Sequence, residues 1–388
     1  MSSKARQKKE ATVLEALVPV VLTVGILMYT ILVLGGDVHI PLVLGSIITA
    51  LIAVYRLGFT WGEIEEGFIA TISGTMQAII ILAIIGMIIG TWILGGVVPT
   101  LIFYGLKVLS PAFFLIASMI LCSIVSLATG SSWTTAGTVG IALMGVAVGL
   151  GVPGPMAAGA IISGAYFGDK LSPLSDTTNL APAMAGSNLF DHIKHMFFTT
   201  GTSYVIALIA FGIMGAQFAG KELDTAAINE LISTMSANFT ISPILLLVPI
   251  IVITLVAMKT PAIPGLMIGT ILGGAAAMIF QGASLGAVLD AMQNGVVSET
   301  GNALLDELLT SGGLQSMMKT ISLIMCALTF GGMLEKSGML ETLAKKILGF
   351  AKSTGSLVAV TVLSCLFVNM LTADQYLAII LPGRMYKT

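Results

Sequence analysis

Charged residues are scarce in this chain of 388 residues, where Asp, Glu, Lys and Arg together make up 9%. An ordinary soluble domain carries roughly 25%, so a soluble globular protein is excluded. Hydrophobic residues make up 56%, and apolar runs such as 16–34, 77–94 and 196–218 are long enough to cross a hydrocarbon core of about 30 Å as helices. Segments of alternating polarity are lacking, which excludes a β-barrel. The composition therefore predicts an all-α polytopic membrane protein.

Cysteine and histidine are nearly absent, with three residues of each. Cys122, Cys326 and Cys365 lie in apolar segments without a CxxC spacing, so we interpret them as small core residues. The strings GxSG and HExxH do not occur, which removes rhomboid-type serine proteases and zinc metalloproteases. A formal net charge of −2 gives no support for a nucleic-acid partner.

Basic residues cluster before the first apolar segment, as Lys4, Arg6, Lys8 and Lys9, whereas the loop 35–41 has no Lys or Arg. By the positive-inside rule, residues 1–15 are predicted to form a cytoplasmic N-terminal tail. The segment that follows has spanning length and no small-residue cleavage site. We therefore expect a membrane anchor and not a cleaved signal peptide.

The apolar segments differ in length, and two of them are too short to span a membrane. They cover residues 16–34, 40–57, 76–94, 112–128, 136–150, 155–168, 196–218, 242–257, 262–280, 317–334 and 355–371. Segments 136–150 and 155–168 fall short of about 17 residues and have Gly or Pro at both ends, which predicts re-entrant or broken helices. The shorter segments 97–109 and 338–350 are typical of helices that lie in the membrane interface.

A polar linker at 219–241 divides the chain into a first helical half, 16–218, and a second, 242–388. A shift of 242 positions aligns Gly96 with Gly338 and Thr100 with Thr342. Residues 95–110 hold one basic residue, but their counterpart 336–352 holds four, so the two stretches should face opposite sides. This predicts an inverted repeat, which is typical of secondary transporters. We expect the second repeat to be incomplete at its C-terminus, because loop 169–191 has no counterpart.

The densest polar stretch between apolar segments lies in a signature loop, 164–188. Asp169 and Asp176 are the candidate ion ligands, because a carboxylate at bilayer depth costs about 2.5 to 3.5 kcal/mol unless it is paired, hydrated or functional. Pro173 interrupts regular helix between them. Further oxygen ligands for a small hard cation such as Na⁺ are Ser172, Ser175, Thr177, Thr178 and Asn179. The alternative is a solvated loop outside the membrane.

Hydroxyl groups interrupt a second apolar region and could cap a half-helix that faces the site. They belong to Ser131, Ser132, Thr134 and Thr135. Helix packing by small residues is the alternative. The aligned region of the second half contains Asn369, Thr372 and Asp374. We expect Asp374 to shape the ion site from the other repeat, with a plain helix cap as the alternative.

Three motifs carry a resemblance to a known family: GDKLSPLSDTTN at 168–179, TGSSWTTAGT at 129–138 and LTADQY at 371–376. With them the chain resembles the NhaC family of bacterial Na⁺/H⁺ antiporters, in the ion transporter superfamily, over essentially its whole length. The resemblance implies two inverted repeats with re-entrant hairpins, a scaffold domain that forms a homodimer, and a moving transport domain. It implies exchange of Na⁺ for H⁺ by alternating access in the bacterial inner membrane, without a cofactor.

In this reading Asp169 and Asp176 bind Na⁺ and protons in turn, and Asn179 joins them as a Na⁺ ligand. Ser172 and Thr177 complete the cage.

An organic-acid (malate/lactate) antiporter is the main alternative, with Lys170 or Arg384 pairing with the substrate. An ion channel is a further alternative, because a helix break lined by oxygen atoms can also conduct ions. An intramembrane aspartyl protease is disfavoured, because residues 166–169 lack the first glycine of GxGD. We predict that the chain is not an enzyme.

Overall fold

The fold is helical throughout the part of the chain that the computed structural model describes. That part comprises residues 8–173, 175–218, 225–258, 260–349, 353–372, 375, 378–379 and 382–383. Within it no strand is present, and the only β-type pairing is an isolated antiparallel bridge between Val296 and Ser311. The predicted all-α class is confirmed.

Helices of the first part of the chain reach from the N-terminal region to the middle. They are α1 (Val13–Leu32), α2 (His39–Tyr55), α3 (Trp61–Leu94), α4 (Val97–Val108), α5 (Pro111–Thr129), α6 (Ser132–Thr135), α7 (Ile141–Gly149), α8 (Gly154–Leu171), α9 (Asp176–Ala185) and α10 (Leu189–Ala216). A π-helical turn at Ala136–Gly140 joins α6 to α7 into one helical run.

Helices of the remaining part include several short elements between the apolar ones. They are α11 (Thr225–Asn238), α12 (Leu247–Ala257), α13 (Ala262–Phe280), α14 (Leu285–Asn294), α15 (Ala303–Leu309), α16 (Leu314–Lys336), α17 (Met339–Leu348) and α18 (Thr354–Thr372). A 3₁₀ turn at Pro243–Leu246 leads into α12.

Helices of membrane length recur along the chain. Among the described residues seven helices are long and apolar enough to cross a membrane, and an eighth span forms if Asn229–Asn238 and Pro243–Val256, bent by 94°, count as one. These lengths and compositions confirm a multi-pass membrane protein. The bent pair is a broken span or a re-entrant loop, and it lies at other residues than the breaks predicted at 136–150 and 155–168.

Two compact units divide the chain. One comprises Met1–Met76, Leu180–Ser187 and Lys319–Thr388, and its core packs α1 against α17 through residues such as Ala16 and Leu340. The other comprises Gln77–Asn179 and Asn188–Met318. Its core holds Trp92, Phe114 and Met119, and the indole nitrogen of Trp92 donates a hydrogen bond of 3.0 Å to Gly269 O.

Several elements differ from the boundaries expected from the sequence. Segment 76–94 belongs to α3, which begins at Trp61 because Thr60 and Glu63 form a capping box. The segments expected at 136–150 and 155–168 belong to the longer runs Ser132–Gly149 and Gly154–Leu171. The polar linker 219–241 contains α11, whose Leu231 and Met235 are buried. The length of an apolar segment therefore underestimates the length of a helix that continues into polar residues.

A three-helix pattern recurs at the offset that the sequence suggested. A long helix is followed by a glycine in the left-handed region, a short helix and then an apolar helix, first in α3 to α5 and again in α16 to α18. Gly96 precedes α4 with φ 73° and ψ 6°, and Gly338 precedes α17 with φ 74° and ψ 6°. The bounds expected for the two short helices, 97–109 and 338–350, agree closely with α4 and α17.

Candidate functional site

Close packing of α8 against α5 positions the site. Gly164 lies against Met119 O, and Gly168 lies against the backbone of Ser123 and Leu127, so a Cβ atom at either glycine would collide with α5. Small residues four apart let two helix backbones approach in this way. The hydroxyl of buried Ser126 adds a hydrogen bond of 2.5 Å to Ala165 O. This contact joins the C-terminal half of α8 to the C-terminal half of α5.

The chain breaks between α5 and α6, where the second polar cluster lies. Gly130 ends α5 in the left-handed region with φ 68°, and Ser131 is extended. The Ser131 side chain accepts hydrogen bonds from the backbone N–H of Thr134 at 3.2 Å and from its hydroxyl at 3.0 Å. The Thr135 hydroxyl donates to Ser131 O at 3.0 Å. Ser131 therefore caps the start of the helical run.

Asp169 and Ser132 meet at this break. Asp169 lies in the last turn of α8 and is only 5% exposed, and Ser132 is 3% exposed. The Ser132 hydroxyl donates a hydrogen bond of 2.7 Å to Oδ2 of Asp169. Both polar clusters predicted from the sequence are thus joined by one buried contact between a hydroxyl and a carboxyl group.

The end of α8 is held by the loop that follows it. The hydroxyl of buried Thr178 donates to Asp169 O at 3.1 Å and to Lys170 O at 3.0 Å. The backbone N–H of Ser172 also donates to Asp169 O at 3.1 Å. Carbonyl groups at a helix end, which carry partial negative charge, are thereby fixed next to the carboxylate.

The turn between α8 and α9 is stabilised from within. The Asn179 amide nitrogen donates to Pro173 O at 2.9 Å and to Ser175 O at 2.6 Å. The hydroxyls of Ser175 and Thr177 lie 3.1 Å apart, and both side chains are buried. Of the predicted ligand positions, Ser172 lies in this turn and Thr177 in the first turn of α9, both buried, whereas the Asn179 side chain is exposed.

Three other predicted site residues lie wholly or partly outside the described residues. Asp176 is the first residue of α9, and its side chain lies outside the described residues, as does the side chain of Thr372 at the end of α18. Asp374 lies outside the described residues altogether. Asn369 is exposed on α18.

Ser126 is a residue of this region that sequence reasoning missed. It positions α8, and it lies between Ser123 and Thr129, three residues from each, on one face of α5. That spacing was the available signal. The Ser123 hydroxyl lies 2.9 Å from the hydroxyl of Tyr204 on α10, and the Tyr204 ring stacks on Phe167 of α8 with centroids 3.7 Å apart.

The carboxyl group of Asp169 and the hydroxyl groups around it, those of Ser132, Ser175, Thr177 and Thr178, supply oxygen atoms as possible ligands. Oxygen donors are what hard cations prefer. The buried Asp169 carboxyl group lies beside the turn between two helices of membrane length, Pro111–Thr129 and Ser132–Gly149, and an ionisable group in such a place is a functional-site hypothesis. Spanning helices together with this site define a multi-pass membrane protein of the secondary-transporter class.

Comparison with known proteins gives the family. The model of the Na⁺/H⁺ antiporter family matches residues 164–388. The chain is 41% identical to the Na⁺/H⁺ antiporter NhaC of Alkalihalophilus pseudofirmus, over 98% of this chain and 82% of that protein. It is 39% identical to NhaC of Bacillus subtilis, over 94% of this chain and 80% of that protein. It is 37% identical to the malate-2H⁺/Na⁺-lactate antiporter of B. subtilis, over 96% of this chain and 81% of that protein. The chain belongs to the Na⁺/H⁺ antiporter family, and the resemblance drawn from its motifs is confirmed.

Proposed function

We propose that this protein exchanges Na⁺ for H⁺ across the membrane by alternating access, with Asp169 as the group that both ions share. The observation that carries the proposal is the buried Asp169 carboxyl group with Ser132 hydrogen-bonded to it. Membership of the Na⁺/H⁺ antiporter family supports the pair of ions.

Competition at one carboxyl group explains the exchange. Burial favours the neutral acid, because a charged group loses its water, whereas a bound cation favours the carboxylate. A site of this kind holds a proton or Na⁺ but not both. The Ser132 hydroxyl and the partial negative charge at the end of α8 help the site to accept Na⁺ once the proton has left.

Neighbouring oxygen atoms complete the cage in this proposal. Asp176 and Asn179 act with Asp169 as Na⁺ ligands, and Ser172 and Thr177 add hydroxyl oxygens. Asp374 shapes the site from the second repeat. The capped break at Ser131, Thr134 and Thr135 keeps the Ser132 hydroxyl in place. Asn369 and Thr372 lie in the aligned region of the other repeat.

The architecture proposed with this function is an inverted repeat. Recurrence of the glycine conformation at Gly96 and Gly338, each at the start of a short helix, supports the repeat, and the basic residues of α17 against the single Lys107 of α4 support the inversion. We place the protein in the bacterial inner membrane, with a cytoplasmic N-terminus and as a homodimer, as the family resemblance implies. Its role is transport and not enzymatic catalysis.

An organic-acid antiporter is the second candidate, because one similar protein is a malate-2H⁺/Na⁺-lactate antiporter. Lys170 is exposed next to Asp169 and is the cation that would pair with an organic carboxylate. Arg384, the other candidate for this role, lies outside the described residues.

Purified protein in sealed liposomes with a trapped pH dye separates the two candidates. An inward Na⁺ gradient alone is expected to drive protons out and to raise the internal pH. Malate inside and lactate outside should leave the initial rate unchanged. If proton movement requires the organic acids, the proposal of simple Na⁺/H⁺ exchange fails and the organic-acid antiporter replaces it.

A further inference from the structure

A second polar site lies in the unit Gln77–Asn179 and Asn188–Met318, at the level where apolar helices end. The Gln281 amide nitrogen donates to Gly95 O at 3.4 Å and to Thr240 O at 3.2 Å, and its amide oxygen accepts from Thr240 N–H at 2.9 Å. Gln281 directly follows α13, and Gly95 directly follows α3. Polar groups that link the ends of spanning helices belong at the boundary between membrane and water.

A cavity of about 680 Å³ opens at this level. It lies between the end of α4, the end of α11 and the bend before α12, and its lining includes Tyr104, Lys107, Asn238, Thr240 and Gln281. Among the described residues that line the cavity, Lys107 is the only charged one. This part of the chain thus offers the cavity one positive charge and no carboxylate.

Lys107 is held in position by aromatic side chains. Its Nζ atom lies 4.0 Å from the centroid of the Phe103 ring, and the Tyr104 ring meets Phe103 edge to face at 5.3 Å. Among the described residues no carboxylate lies within ion-pair distance of Lys107. A cation over an aromatic face is oriented without being neutralised, so its charge stays available to an anion.

Exposed apolar side chains lie close along the chain to the residues that line the cavity. Val108, next to Lys107, is 79% exposed, and Ile244 and Leu247 at the start of α12 are 58% and 51% exposed. In a membrane protein such side chains contact acyl chains. A charged polar cavity bordered by lipid-facing residues has the two-part chemistry of a phospholipid site.

We propose that this cavity binds the headgroup of a net-anionic phospholipid, with Lys107 paired to the phosphate and the hydroxyls of Tyr104 and Thr240 as further donors. The acyl chains lie along Ile244 and Leu247. Lysine binds phosphate as a point charge, and a basic residue at the headgroup level attracts anionic lipid. A zwitterionic lipid is disfavoured, because the described lining residues include no carboxylate to meet its ammonium group.

Native mass spectrometry of the purified full-length chain tests this proposal. The probes are phosphatidylglycerol, phosphatidylcholine with the same acyl chains, and glycerol 3-phosphate as a headgroup without chains. We expect phosphatidylglycerol to be retained in preference to phosphatidylcholine. Lys107→Gln should lower its retention about tenfold, since a charge-assisted contact is lost.

Two matched variants make the result specific. Lys194→Gln removes an exposed lysine of the same unit, on α10, and should leave lipid retention unchanged. Lys107→Arg keeps the charge and should retain phosphatidylglycerol to within about threefold of the wild type. Equal retention by wild type and Lys107→Gln would overturn the proposal. Displacement of the lipid by glycerol 3-phosphate at equal concentration would overturn it too, because the site would then be one for soluble anions.

Discussion

The Ser132 hydroxyl donates a hydrogen bond of 2.7 Å to the Asp169 carboxyl group, across 37 positions of the chain. Ser132 opens a helical run just after a break, and Asp169 lies in the last turn of α8. The contact places a helix start and a helix end at one buried carboxyl group. It is the geometry that a carrier needs if one group is to hold a proton and a cation in turn.

Substitution Ser132→Ala should weaken Na⁺ binding without unfolding the protein. A hydrogen bond to a charged group is worth about 1.5 to 3 kcal/mol, so we expect the apparent KM for Na⁺ in transport to rise at least about tenfold. Ser132→Thr keeps the hydroxyl and should stay near wild type. Ser203→Ala removes an exposed hydroxyl of α10 and is the control. A KM for Ser132→Ala that matches this control would contradict the role given to Ser132.

Gly168→Ala should destabilise the protein by about 1 to 3 kcal/mol, as expected for overpacking. The added Cβ would meet Leu127 N at 2.6 Å and Ser126 Cβ at 2.8 Å, and α5 can make room only by moving its backbone. Gly201→Ala is the matched control on α10, because a Cβ there meets nothing within 4 Å. We expect the control to be neutral or stabilising. The measurement is unfolding in detergent, followed by circular dichroism; equal stability of the two variants would refute the close packing of α5 and α8.

Asp306 should make the loop before α15 sensitive to acid. Hydrogen bonds from the backbone N–H and the hydroxyl of Thr300, assisted by Ser298 and Gly301, hold the pKa of Asp306 below its ordinary value of 3.8. Because the folded pKa is lowered, the stabilisation is complete above 3.8 and is lost as the pH falls through the lowered pKa.

Amide hydrogen exchange, corrected for the intrinsic rate, measures this effect at Thr300 and Gly301. Protection of both amides should be constant from pH 7 to pH 5 and should fall below pH 3.8. Asp306→Ala should remove the protection already at pH 7, whereas Asp290→Ala should not. Unchanged protection in Asp306→Ala would show that Asp306 does not hold the loop.

The inverted repeat predicts opposite membrane sides for α4 and α17. In a background without Cys122, Cys326 and Cys365, single substitutions Lys107→Cys and Lys346→Cys report the side through a membrane-impermeant maleimide. Lys107→Cys should react in intact cells, and Lys346→Cys only after permeabilisation. Reaction of both from the same side would rule out the inversion and leave a parallel repeat.

The sequence predicts the membrane class and many helix bounds because apolar length is a direct physical signal. The expected segment 262–280 coincides with α13, Ala262–Phe280. The region 282–313 has no long apolar run, so apolar length predicts no helix there. It contains α14 and α15, joined through a bridge between Val296 and Ser311 and held by Asp306.

The candidate site could be predicted by residue type but not by contact. Polar motifs in apolar surroundings singled out Asp169 and Ser132 separately, whereas their hydrogen bond depends on how closely α8 approaches α5. Gly164, Gly168 and Ser126 fix that approach, and helix packing of this kind has no local signature near Ser132. The apolar segment ends at residue 168, but helix α8 continues to Leu171. The Asp169 side chain is buried and hydrogen-bonded within the helical part, so this polar residue does not end the helix. The assignment of Na⁺ ligands stays a prediction.

The most direct measurement is Na⁺-driven proton movement in liposomes that contain Asp169→Asn. Asparagine keeps the size of the side chain but can neither take up a proton nor carry a charge. We expect proton movement at the level of empty liposomes, while Asp191→Asn, an exposed position at the start of α10, exchanges at the wild-type rate. Wild-type exchange by Asp169→Asn would contradict the account, because the shared ion site would then lie elsewhere.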